Sequence, residues 1–289
     1  MNLRRSFKNA VQRVFRRFGY DIVTASRTPL LAELTRMRNA LNLEPQPLPQ
    51  SVQFLANATA DWHLPWLLSH YGIDLVLDVG ANEGQFARGL RSHGYAGHIE
   101  SFEPLARCAL SLRAQAAQDS HWTVHSFALG ATAGESRIRS FSDSSFSSLH
   151  SPTAYAHARF GNMLAVVDEE IVRIATLNDI WPALAEAHPA AKVLLKTDTQ
   201  GHDLEVLRGA GDMLDVCCAV MCECSLVPLY ADAPSFTQIF EFLAARGFQC
   251  SGFYPVSYCE DRPAMIEANV FFVNRRMTLP LPAHPDPAQ

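Results

Sequence analysis

The sequence predicts an α/β fold whose mainly parallel sheet is covered by helices on both faces. Three observations carry that reading. From Val52 onward, short apolar runs alternate with amphipathic helical stretches. Two of the runs, "LDVGANEG" and "LKTDTQGHD", end in turns that combine glycine with acidic residues. A content of 48% hydrophobic and 18% charged residues is that of a globular core.

The elements follow in order. A helix is expected over roughly Val52 to Tyr71. "DLVLDV" is too short an apolar run for a helix and reads as a buried strand, followed by a glycine turn and a helix to His93. "HIESFEP" is a second strand and "LARCALSLRAQAAQ" a second helix of the repeating pattern. "WTVHSFALG" is a third strand, "SRIRSF" an added edge strand, and "FSDSSFSSLHSPT" a serine-rich loop. "EEIVRIATL" reads as a strand and "NDIWPALAEA" as a short helix. "KVLLKTD" is the next strand, with a helix to Leu214 and then a cysteine-bearing strand. A helix near Phe236 to Arg246 and strands near Phe248 to Tyr254 and Ala268 to Asn274 close the pattern.

Residues 1–50 precede this body. Leu3, Phe7, Val11, Val14, Phe15 and Phe18 recur at helical spacing, with Arg4, Arg5, Lys8, Arg13, Arg16 and Arg17 between them. Two readings stand for this basic amphipathic helix. Residues 1–20 attach peripherally to an anionic membrane face, or the apolar stripe packs on its own domain. A second helix is expected over about Leu30 to Leu43, and "EPQPLPQ" reads as a proline-rich linker. The body then spans 51–276, and 277–289 is a proline-rich tail expected to be disordered.

A net charge of −5 gives the body no nucleic-acid partner. No apolar stretch approaches the roughly 20 residues of a membrane span, and no apolar segment of a secretory signal follows the basic start. Four of the seven cysteines fall in "DVCCAVMCECS", without the paired spacing of a zinc site. They read as buried free thiols in a reducing cytoplasm, with Cys218, Cys222 and Cys224 on one strand face and Cys217 on the other. The expected location is cytoplasmic, at the inner membrane face where the basic helix attaches.

The turn after the first strand carries Asp78, Gly80, Asn82 and Gly84. Gly80 and Gly84 permit a tight turn and close approach of backbone to a ligand. The spacing is G-x-x-x-G rather than the G-x-G-x-x-G of dinucleotide sites. A carboxylate at this turn repels a pyrophosphate but suits the cationic sulfonium and ammonium of S-adenosylmethionine. Glu103, 25 residues beyond Asp78, ends the second strand where an acid accepts both ribose hydroxyls. Ala128 and Leu129, after the third strand, are placed beside the adenine.

The second turn raises a different question: why a buried strand should release Lys196, Asp198, His202, Asp203 and Glu205 within ten residues. Asp203 and Glu205 suit the positive end of the following helix. Lys196, Asp198 and His202 have no such explanation and face the acceptor side. Glu223, in "VMCECS", lies at the corresponding edge of the next strand. This group is suited to deprotonate a hydroxyl, or to hold a divalent cation such as magnesium at Asp198 and Glu223. The serine-rich loop and "SLVPLYADAP", with Phe146 and Tyr230, are candidates for an acceptor-binding lid.

"LVLDVGANEGQFARGLRSHGYAGHIESFEP", "FALG", "LLKTDTQGHDLEVLRGA" and "ECSLVPLY", in that order, resemble the FkbM family of S-adenosylmethionine-dependent methyltransferases. Lys196, Asp198, Gln200 and Gly201 match the family's Lys-x-Asp-x-(Glu/Gln)-Gly pattern, while Asp203 stands where the family usually has glutamate. The resemblance covers about Ile73 to Asn274. It implies a Rossmann-like class I methyltransferase fold with a mainly parallel seven-stranded sheet. It implies O-methylation of a sugar hydroxyl, a glycan or glycolipid precursor, or a polyketide-like natural product. Two functions compete: an NAD-dependent oxidoreductase, opposed by the glycine spacing and Asp78, and a catalytically idle scaffold, opposed by intact Asp78, Glu103 and Asp198.

Overall fold

The computed structural model describes residues 48–277, apart from 260, 261 and 263, with side chains from Ala56 onward. The expectations for the first helices and for the tail beyond 277 lie outside the described residues. The chain divides into two units, 1–51 and 52–289, and the second carries the architecture below.

Helix α1 (Leu48–Tyr71) includes three residues that the sequence reading gives to the linker. The alternation then unfolds as β1 (Leu75–Val79), α2 (Gln85–Ser92), β2 (His98–Phe102), α3 (Ala106–Ala116) and β3 (Trp122–His125). After two-residue β4 (Ala128–Leu129) come β5 (Gly134–Phe141), α4 (Ala154–Phe160), β6 (Val166–Ala175) and α5 (Leu177–Ala187). The last part holds β7 (Val193–Thr197), α6 (Asp203–Ala210), β8 (Cys217–Ser225), α7 (Phe236–Ala245), β9 (Phe248–Tyr258) and β10 (Met265–Asn274).

Seven strands form one sheet in the order β3-β2-β1-β7-β8-β10-β9. The first five are parallel, and β10 runs antiparallel to both β8 and β9. The central strands β1 and β7 are buried at every position, as a strand covered on both faces requires. One apolar cluster unites Leu75, Leu77, Leu195, Val206 and Leu207 on one face. A second unites Val76, Ile99, Leu112 and Leu194 on the other.

Four expectations change. "WTVHSFALG" is two strands, β3 and β4, and "SRIRSF", an edge strand as expected, lies outside the main sheet. β4, β6 and β5 form a separate three-stranded sheet, in that order. Apolar periodicity reports that a strand is half-buried, not which partner covers it. The helix expected to reach Leu214 ends at Ala210, because Gly211 turns left-handed (φ 53°) and the chain continues as a 3-10 segment to Val216. The cysteine faces differ as well. A register shift where β8 pairs Val193 with Cys217 and Leu194 with Ala219 inserts Cys218 as an extra residue. Cys217 therefore shares a face with Cys222 and Cys224, and Cys218 packs on the opposite side. All seven thiols are free.

Candidate active site

In the main sheet the chain runs outward from β1 through β2 and β3, then returns to the other side of β1 as β7. Ligands of open α/β sheets bind at the carboxyl edge of such a reversal. A cavity of about 530 Å³ opens there, lined from the turns after β1, β2 and β7, from β4, and from β8 and β10. That volume is ordinary for a small-molecule site.

The β1 turn is built around glycine. Gly80 has φ 75°, and a Cβ on it would stand 1.9 Å from the Asp198 carbonyl oxygen. The two functional turns can therefore touch only with glycine at this position. Asn82 follows at φ 48°, and its backbone N–H donates to Glu103 Oε2 (2.8 Å). Glu103 Oε1 accepts from the Leu105 N–H at 2.9 Å. Burial outweighs these donors and pushes Glu103 up to about 7. Asn82 Oδ1 is buried without a hydrogen-bond partner, on the cavity wall. Ala128 and Leu129 line the same cavity. An orphaned acceptor, a buried carboxylate and a turn opening on glycine fit the ammonium, ribose and backbone-hugging chain of S-adenosylmethionine.

Two residues expected at the cofactor are absent from the cavity lining. Asp78 is fully buried and pairs with Lys196, Oδ1 to Nζ at 3.0 Å, while Ser101 Oγ donates to its Oδ2 at 3.2 Å. It lies on β1 itself, one residue short of the turn, so its side chain enters the protein interior. Gly84 occupies the N-cap of α2 at φ 82°, and a Cβ there would press on Leu112 and Trp122. Its smallness serves packing.

Lys196 faces the cavity from β7 yet is only 4% exposed. Its Nζ donates to the Gly80 carbonyl at 2.9 Å and stands 3.8 Å from Asp198 Oδ2. Burial disfavours the ammonium, but the Asp78 and Asp198 carboxylates outweigh it and hold Lys196 above its ordinary value. Lys196 thus ties the buried acid of the first turn to the exposed acid of the second.

Asp198 and Glu223 come together as expected from their strand ends. Gln200, at φ 52°, lies between them. Its Nε2 donates to Asp198 Oδ1 at 3.1 Å and to Glu223 Oε2 at 2.7 Å. Its Oε1 accepts from the Tyr230 hydroxyl at 2.9 Å. Burial, then Asp198 and Glu267, push Glu223 well above the usual carboxylate range. Glu267, on β10, joins the same wall, accepts from Ser257 Oγ at 3.2 Å and is pushed up to about 7 by burial. His202 lines the cavity with Nδ1 3.1 Å from His150 Nε2. Burial, then His150, lower it to about 4, so it stays neutral near pH 7. Asp203 is turned inward, accepts from the Thr199 N–H at 3.2 Å and is pushed up to about 6 by burial. It closes the turn.

The serine-rich loop forms a pinned wall of the cavity. Ser148 Oγ donates to the Gln200 carbonyl at 2.7 Å, and the Tyr230 hydroxyl lies 2.8 Å from the Phe146 carbonyl. Tyr230, a candidate for the lid, is buried at 2% exposed. Among the described residues, no group of three or more His, Cys, Asp or Glu side chains is placed to hold a metal ion.

Sequence reasoning gave no role to Glu267, Gln200 or His150. Glu267 had a signal, an acid inside the apolar strand "MIEANVFFV". Gln200 stood in the family motif, but its partners Glu223 and Tyr230 lie 23 and 30 residues away.

No curated protein matches the chain. Among solved structures, magnesium protoporphyrin IX methyltransferase from Synechocystis PCC 6803 with bound S-adenosylmethionine is 12% identical, with a TM-score of 0.42, over 88% of this chain and 100% of that one. Fibrillarin from Aeropyrum pernix, with natively bound S-adenosylmethionine, is 11% identical, with a TM-score of 0.37, over 69% of this chain and 66% of that one. The sequence model of the "Methyltransferase FkbM domain" matches residues 78–250, more than half of the 289 residues. With the glycine turn, the strand-end acid and the reversal of strand order on one edge, this chain belongs to the FkbM family of methyltransferases, and family and fold support S-adenosylmethionine-dependent methyl transfer.

Proposed function

We propose that the chain is an O-methyltransferase that methylates a hydroxyl of a sugar in a glycan or glycolipid precursor. One observation carries the reading. A single cavity joins Glu103 and the orphaned Asn82 Oδ1 to Asp198, whose side chain is 36% exposed beside Lys196. S-adenosylmethionine, when bound, supplies an electrophilic methyl group for in-line displacement. Asn82 Oδ1 would hold its ammonium and Glu103 its ribose hydroxyls, with Ala128 and Leu129 beside the adenine. Asp198 Oδ2, the oxygen that Gln200 leaves untied, takes the proton of the acceptor hydroxyl. His202, neutral near pH 7, and Glu223, whose carboxyl burial pushes well above the usual range, hydrogen-bond the acceptor.

The acceptor class is supported by the opposite wall. Ser144, Ser145 and Ser147 offer hydroxyls next to Phe146 and Phe160, whose ring centroids lie 4.6 Å apart. Hydroxyls beside aromatic faces suit a sugar ring. Residues 1–20 bring the enzyme to an anionic membrane face, supported by the six interleaved Arg and Lys residues between Arg4 and Arg17. Flotation with anionic but not neutral vesicles tests that part.

The deciding experiment is calorimetric titration of the purified chain with S-adenosylhomocysteine and, separately, NAD, followed by transfer of a labelled methyl group to a panel of neutral sugars. Binding of the first ligand alone, with label in an ether, is expected. A folded protein that binds neither ligand would leave the idle-scaffold function in front.

A further inference from the structure

Gln200 is a neutral side chain tied to both acceptor-side acids. Its backbone adopts φ 52°, and Ser148 Oγ holds its carbonyl at 2.7 Å, so the residue is fixed from both ends. The carboxamide uses Nε2 for Asp198 Oδ1 and Glu223 Oε2, and Oε1 for the Tyr230 hydroxyl. A carboxamide has two N–H donors on one nitrogen, and both find an acid here. The nitrogen thus fills the place between two carboxyl groups where many hydroxyl-activating sites put a divalent ion. An ion there would need oxygen ligands at about 2.0–2.6 Å. Nε2 cannot be such a ligand. Turning Oε1 inward instead would give up both donations to the acids. Positive charge is already supplied by Lys196, 3.8 Å from Asp198 Oδ2.

We infer that Gln200 is a positioning residue that takes the place of a divalent cation, bridging Asp198 Oδ1 and Glu223 Oε2 and leaving Asp198 Oδ2 free of the amide. The inference rests on the reading that these two acids form the acceptor side, and it deepens that reading by making the site independent of metal.

The test is titration of MnCl2 and MgCl2 into the full chain loaded with S-adenosylhomocysteine, followed by calorimetry and by loss of the free-manganese electron paramagnetic resonance signal. Wild type, Gln200→Glu and Gln200→Ala are compared. Wild type is expected to show no saturable site tighter than about 1 mM. Gln200→Glu vacates the nitrogen and adds a third acid, and should bind manganese at least about tenfold more tightly. Gln200→Ala only vacates it and should fall between the two, and it decides the matter where the glutamate variant does not fold. A wild-type site tighter than about 100 μM that disappears in Asp198→Asn would overturn the inference. So would two folded variants that bind no better than wild type. Failure of S-adenosylhomocysteine to bind wild type would strike the cofactor reading instead, and the same titrations on the unloaded chain would then test the bridge alone.

Discussion

With Glu103 placed at the ribose, as proposed, binding of the cofactor should depend on pH. It is 5% exposed, and burial places it at about 7 although two backbone N–H groups favour its charged form. Accepting ribose hydroxyls requires the carboxylate. By its titration, about a tenth of Glu103 is ionised at pH 6 and about nine-tenths at pH 8. The dissociation constant of S-adenosylhomocysteine should therefore be about tenfold larger at pH 6 than at pH 8, close to 1.4 kcal/mol. Binding at pH 6 should release about 0.9 proton, read by calorimetry in two buffers of different ionisation enthalpy. The sign for folding is opposite. The folded group holds its proton between the ordinary carboxylate value, 4.5, and about 7, so the ligand-free protein loses stability as pH rises through that window. The loss is at most about 3 kcal/mol. Asp203 and Glu267 also titrate near this range, which makes Glu103→Gln the necessary control. That variant should bind about tenfold or more weakly at pH 8 and show little change between pH 6 and 8. An unchanged wild-type affinity, or an equal slope in the variant, would refute the assignment of Glu103 to the ribose.

Three further outcomes follow from the geometry. Lys196→Met leaves the fully buried Asp78 carboxyl without its partner at 3.0 Å, and should lower unfolding free energy in urea by about 3–5 kcal/mol; a loss below about 1 kcal/mol would show that the pair is structurally idle. Gly80→Ala forces a Cβ to within 1.9 Å of the Asp198 carbonyl at φ 75°, so the turns must part, with a cost of at least about 1–3 kcal/mol in thermal unfolding and weakened S-adenosylhomocysteine binding. His202 should show neutral imidazole nitrogen shifts from pH 8 down to pH 5, since burial lowers it to about 4; its contribution to stability is lost as pH falls from its ordinary value, 6.5, toward 4, and a midpoint between 6 and 7 would contradict its burial.

Much of this protein is legible along the chain because the relevant physics is local. Strands buried on both faces must be short and continuously apolar, and "LVLDV" and "VLLKT" read that way without any tertiary knowledge. A turn that approaches a ligand needs glycine, so Gly80 stands out, and an acid at a strand end stands out where Glu103 and Asp198 lie. Each of these signals sits within a few residues of its cause.

What lay beyond the sequence depends on partners far apart in it. Alternation in β5 and β6 announced strands but not the second sheet, because period-2 patterning is the same whichever sheet covers the face. One extra residue at Cys218 reversed the cysteine faces, because a bulge depends on how β8 pairs with β7. Asp78 has the residue type expected at the cofactor and is placed next to the glycine turn. Lys196, 118 residues later, neutralises it inside the core. Gln200 looks like an ordinary polar turn residue until β8 and the Tyr230 loop bring Glu223 and a hydroxyl to its two ends. Residue type and local periodicity can specify what each segment is able to do. Which charges are paired, and which remain free to act, is decided only when strands distant in the chain lie side by side in the sheet.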